Sequence, residues 1–228
     1  PCLVSPSATP EAFGTDVSSD ATVQGFANLN TSADASTTAG KADADAKGNL
    51  IDGAQLGDLS IGGVGTVTGS ANFAAAANAA NVTGGGSLAA DANAEVTSVD
   101  GLDSDGIDVS SDAGIQGLAS IDLASAAEST GATGAETTAT ATSTAFTLQG
   151  AELDSLTKIG GIGTVAGSTD LSSSAAASNV TGSAVATGSL TSAEGLDLNA
   201  TLDVASDASV SGTSGINSSA DATTTNGA

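Results

Sequence analysis

The sequence predicts an all-β chain, either β-solenoid-like or a long-stranded β-sandwich, built from tandem repeats of about 95 residues. Three observations predict it. Apolar and polar residues alternate with period two over long stretches. Whole segments return at a long, near-constant spacing. The apolar residues are mostly alanine, with aromatics confined to Phe13, Phe26, Phe73 and Phe146, so any core is thin. Scarce aromatics favour the solenoid, in which each rung stacks on the next around a narrow column of small and branched residues. The long two-fold repeat suits the sandwich, in which long antiparallel strands pair in two sheets.

The spacing is read from two markers. "IGGVGTVTGS" at 61–70 returns as "IGGIGTVAGS" at 159–168, 98 residues on, and "NVTG" at 81–84 returns at 179–182 with the same offset. The second marker occurs three times, as "DVSSDATVQG" at 16–25, "DVSSDAGIQG" at 108–117 and "DVASDASVSG" at 203–212. A fixed period of this length signals a repeat architecture. It divides the chain into an extended N-terminal arm (1–14), an orphan half-repeat (15–48), repeat unit 1 (49–146) and repeat unit 2 (147–228).

The arm holds every proline, Pro1, Pro6 and Pro10. Proline cannot complete a sheet ladder, so the segment reads as extended chain outside the sheets. The half-repeat alternates through Val17, Ser19, Ala21, Val23, Gly25, Ala27 and Leu29. It lacks a matching front half in its own chain, so its strands are expected to pair with a neighbouring subunit or to cap the stack. Unit 1 alternates from Ile107 through Val109, Ala113, Ile115 and Ile121 to Leu123, and unit 2 from Leu198 through Leu202, Val204 and Val210 to Ile216. Strict alternation of this length is a strand signal. The exception is "ANFAAAANAAN" at 71–81, where alanine favours helix. Its counterpart "TDLSSSAAASN" at 169–179 carries Ser and Thr, which suit a strand, and equivalent segments share one conformation.

Composition removes most functions. The formal net charge is −23, the only basic residues are Lys41, Lys47 and Lys158, and there is no His. Nucleic-acid binding needs Lys and Arg against phosphates, and attraction to an anionic membrane needs the same charges. No stretch approaches the ~20 apolar residues of a spanning helix. Without His, triads of the Ser-His-Asp kind cannot be built, and enzyme activity is not expected. Cys2 is the only cysteine, which leaves no intrachain disulfide.

The glycine-rich "IGGVGTVTGS" is not a nucleotide site. A dinucleotide fingerprint needs its third glycine one residue earlier, at the entry to a helix, and a P-loop needs a terminal Gly-Lys-Ser/Thr. A calcium nonapeptide needs Asp where Val67 and Val165 stand. The motif therefore reads as a glycine bend feeding a strand. Calcium has one other candidate: Asp100, Asp103, Asp105, Asp108 and Asp112 in "DGLDSDGIDVSSD" bring hard oxygen ligands close together in sequence. The competing reading is a solvated acidic turn. No other cofactor is implied. Five N-x-S/T sequons begin at Asn30, Asn81, Asn179, Asn199 and Asn217.

The repeated "DVSSDA" and "GTVTGS" segments and the alternating Ala/Thr runs, such as "TTATATSTAF" at 137–146, resemble the Ala/Ser/Thr/Gly/Asp-rich repeat proteins that bacteria secrete as extracellular filament or fibre subunits and adhesins. The resemblance covers about residues 15–228 and is compositional. It implies an extracellular or cell-surface structural role in which the partners are copies of the chain itself. The expected function is a subunit of a homopolymeric filament, joined head-to-tail by strand pairing through the N-terminal region. The alternative is a cell-surface adhesin, stabilised by calcium and binding a surface ligand.

Overall fold

The computed structural model describes residues 2–4, 11–12, 15–38, 40–82, 88–130, 137–179 and 182–225. They form strands β1 (Cys2–Val4), β2 (Glu11–Ala12), β3 (Thr15–Val17), β4 (Ala21–Thr37), β5 (Lys41–Ile61), β6 (Gly65–Val82), β7 (Leu88–Val109), β8 (Ala113–Thr130), β9 (Thr137–Leu153), β10 (Thr157–Ile159), β11 (Gly163–Asn179), β12 (Gly182–Leu198), β13 (Leu202–Val204) and β14 (Ala208–Thr224). The chain is all-β, with parallel strands in two sheets, an arrangement consistent with a β-solenoid. The alanine-rich segment 71–81 is strand, as its counterpart suggests. Its helix propensity is overridden by ladders on both sides, with β4 and with β8.

One sheet runs in the order β4-β6-β8-β11-β14. In the other, β5 carries β1, β2 and β3 on one side and β7 on the other, followed by β9 and β10, then β12 and β13. The chain crosses the second sheet, turns, crosses the first, and returns one level further along. Ala21, Gly65, Ala113, Gly163 and Ala208 share one register row. Successive levels are thus 44, 48, 50 and 45 residues apart.

This register bears on several of the expectations. Every strand pair among the described residues is parallel, so the antiparallel sandwich is excluded there. The period near 95 residues spans two levels, because Gly65 and Gly163 lie two strands apart. The two markers are the same structural place: Val17 pairs with Ile61 and Ala21 with Gly65. Residues 15–48 are therefore not without a partner in their own chain, since β4 pairs along its length with β6. Within 1–14, β1 and β2 pair with β5. The limits drawn at 48/49 and 146/147 fall inside β5 and β9.

Two columns of glycine fix the cross-section. Gly25, Gly69, Gly117, Gly167 and Gly212 form one row of the first sheet. Gly53, Gly101, Gly150 and Gly195 occur at matching places in the second. A Cβ on Gly69 would lie 2.0 Å from the Gly101 carbonyl oxygen, and one on Gly117 equally close to that of Gly150. Backbone touches backbone here, far inside the ~10 Å spacing of ordinary stacked sheets. The waist divides the interior into two cores. One is alanine-rich around Ile51, Phe73, Ile121, Leu148 and Leu171. The other is aliphatic around Ile61, Leu102, Ile107, Ile115, Leu153 and Ile159. Side-chain sizes are matched across the first: a Cβ on Gly48 would meet the Phe73 ring at 2.5 Å, so glycine there makes room for a phenylalanine that is fully buried.

Candidate functional site: open sheet edges and an acidic face

Among the described residues, the first sheet ends in two strands that pair on one side only, β4 and β14. Each is 17 residues long. An edge of this kind presents a row of unpaired N–H and C=O groups, a template for another chain. The last level also leaves its inward side chains uncovered. Val210 and Ile216 are 48% and 59% exposed, whereas Val165 and Leu171, their partners one level earlier, are 1% and 0% exposed. A further level would bury them.

The short turns between the sheets explain the motif at 61–70. They read Ser-Ser-Asp at 18–20, Gly-Gly-Val at 62–64, Ser-Ser-Asp at 110–112, Gly-Gly-Ile at 160–162 and Ala-Ser-Asp at 205–207. The Asp20 carboxylate accepts the backbone N–H of Val64 at 2.8 Å, and Asp112 accepts that of Ile162 at 2.8 Å. A Cβ on Gly63 would lie 2.1 Å from Asp20 Oδ1, and one on Gly161 2.2 Å from Asp112 Oδ1. The double glycine therefore lets one turn fold over the aspartate of the turn before it. Asp207 is the third such aspartate and stands on the last level.

The far ends of the strands alternate in the same rhythm. Asn81 and Asn179 are buried. The Asn81 amide donates to the Gly40 and Ala89 carbonyls. That of Asn179 donates to the Thr137 and Ser183 carbonyls at 2.9 and 2.8 Å and accepts from the Thr137 hydroxyl at 2.7 Å. Both begin sequons, and a glycan on either amide would have to displace these bonds from the interior.

The second sheet carries a cluster of carboxyls drawn from successive levels. Asp52 pairs in register with Asp100, and Asp103 with Glu152. Burial pushes Asp100 up to about 7, helped by the charges of Asp52 and Asp103 and opposed by the Ser98 hydroxyl. Burial likewise pushes Asp52 up to about 6 and Glu152 up to about 7, with Asp154 adding the largest charge repulsion at Glu152. Asp103 is raised by burial and by Asp154 and Asp105, while the Gln55 amide, 3.3 Å away, holds it down. Asp52 is only 2% exposed, and its Oδ1 has no hydrogen-bond partner.

Of the calcium candidates, Asp100, Asp103 and Asp105 belong to this face. Asp108 lies in another row, between Ser60 and Lys158, and Asp112 is in the turn described above. Among the described residues no three acidic or cysteine side chains converge as a metal cradle. Sequence reading missed Asp52 and Glu152 because they stand 48 and 49 residues from their register partners.

The raised carboxyls set the sign of a pH dependence. Each binds its proton more tightly in the folded chain than in the unfolded one, where the values are 3.8 for Asp and 4.5 for Glu. Stability is fully present below those values and is lost as pH rises through 6 to 7. Asp100→Asn is expected to raise the melting temperature at pH 8, to leave it nearly unchanged at pH 4, and to flatten the curve between. A melting temperature at pH 8 that stays level or falls would contradict this account of Asp100.

No described helix is long and apolar enough to cross a membrane. No protein-family model, no curated protein and no solved structure matches the chain.

Proposed function

We propose that this chain is the structural subunit of an extracellular homopolymeric filament, assembled head-to-tail by β-strand pairing between copies. The observation that carries the reading is the pair of open parallel edges, β4 and β14, at opposite ends of one sheet. A contact between opposite ends is heterologous and does not close on itself, so it propagates. The finer architecture of this reading is a β-solenoid whose repeat near 95 residues spans two levels, and the parallel strands stacked in register support it. The net charge of −23 keeps single copies apart, and salt screens that repulsion, so assembly should strengthen as ionic strength rises. The extracellular placement rests on the composition, acidic, cysteine-poor and rich in Ala, Ser, Thr and Gly.

The alternative, a calcium-stabilised adhesin, would draw on the acidic face around Asp100 and Asp103. Negative-stain microscopy of the purified chain, over a range of protein and salt concentrations and with or without a chelator, separates the two. Unbranched filaments of uniform width, indifferent to the chelator, are expected. Monodisperse particles at every concentration, with a melting temperature that depends on calcium, would overturn the filament in favour of the adhesin.

A further inference from the structure

The filament reading leaves open how two copies meet, and the structure holds two candidate geometries. In direct stacking, the last level of one copy (β12, β13 and β14) rests on the first level of the next (β1, β2, β3 and β4). In displacement, it takes that first level's place against β5 and β6. We propose that copies join by displacement, an inference that rests on the filament reading.

Charge decides between them. Direct stacking in register puts Asp203 on Asp16, Asp207 on Asp20 and Asp221 on Asp34. Like charges facing one another across neighbouring strands are destabilising. Displacement gives the same three aspartates the partners that Asp16, Asp20 and Asp34 have now. Asp16 pairs in register with Ser60. Asp20 accepts from the Val64 N–H at 2.8 Å. Asp34 accepts from the Asn78 amide at 2.9 Å. Each carboxylate meets a hydroxyl, an N–H or an amide instead of another carboxylate.

The turns agree. A turn of the Ser-Ser-Asp type is followed by a Gly-Gly turn at both places where the structure shows its successor. Direct stacking would set Ser19 where Gly63 stands, and a Cβ there lies 2.1 Å from the aspartate oxygen. Displacement restores the alternation, with Asp207 under the Gly62–Gly63 turn of the next copy.

The strands agree as well. Aligned from Ala208 on Ala21, β14 and β4 are identical at nine of 17 positions, including Val210 with Val23, Gly212 with Gly25 and the Ser-Ala-Asp-Ala run. So β14 fits the groove that β4 fills. Exchange of one equivalent element for another between copies is a low-cost route to association. One contact runs the other way, since Glu194 would come level with Asp52.

Disulfide trapping reads the geometry directly. In a Cys2→Ser background, full-length Ser209→Cys chains are mixed with Thr66→Cys chains, or separately with Thr22→Cys chains, and oxidised under filament-forming conditions. All three sites are exposed in the single chain, and parallel neighbours ~4.8 Å apart lie within disulfide reach. Displacement places residue 209 beside residue 66, as Thr22 is now, and direct stacking places it beside residue 22. The 209–66 product is expected in roughly tenfold excess, the ratio that about 1.4 kcal/mol of preference gives. A dominant 209–22 product would overturn displacement and leave the filament standing. Absence of both products, or only 209–209 pairing, would overturn the head-to-tail filament itself.

Discussion

Gly117→Ala is expected to abolish the cooperative native transition, or to lower its stability by about 3 kcal/mol or more, at the upper end of the usual cost of overpacking a core. The new methyl group would lie 2.0 Å from the Gly150 carbonyl oxygen and 2.7 Å from the Ala151 Cβ. Neither neighbour is the far end of a flexible side chain, so the sheets themselves must part. Parting them at one level pulls on the levels above and below through continuous ladders with β6 and β11. Gly114→Ala is the control on the same strand: its Cβ would meet nothing within 4 Å. It should be neutral or stabilising by up to ~1 kcal/mol, because alanine restricts the unfolded chain. Urea melts of the two variants give the comparison, and equal midpoints would refute the waist as a close-contact seam.

Ser218→Pro is expected to stop filament growth while leaving the fold intact. Thr225 donates its N–H to Asn179, and Asp207 offers its carbonyl to Gly163. Along the unbroken pairing of β14 with β11, odd-numbered residues thus face β11 and even-numbered ones face the open edge. Proline at 218 removes a donor only from the outer side, where an edge tolerates it. Circular dichroism should match the unsubstituted chain, and microscopy should show single particles. Filaments as abundant and as long as before would show that β14 is not the growing edge.

Much of the fold was legible, and the gaps have physical causes. Two-residue alternation named most of the strands, and at 71–81, where alanine favours helix, the Ser and Thr of the counterpart at 169–179 did so. It did not give their direction, since side chains alternate alike in parallel and antiparallel ladders. The unit was read as about 95 residues, the length of two levels, because neighbouring turns differ: Ser-Ser-Asp and Gly-Gly-Val look unrelated until Asp20 is seen accepting from Val64. The glycine row at 25, 69, 117, 167 and 212 was visible in the sequence at the shorter spacing, but each glycine was read inside its own motif. The acidic face was half legible. Asp100 and Asp103 stand close together in the chain, whereas Asp52 and Glu152 reach them only through strand pairing.

The orientation of the strands within a filament tests the central claim most directly. X-ray fibre diffraction from aligned filaments should show a sharp reflection at ~4.8 Å along the filament axis, the spacing between hydrogen-bonded strands, because copies are added strand upon strand. A reflection of that spacing lying across the axis would mean that copies join side by side, and the account of β4 and β14 as the assembly edges would be wrong.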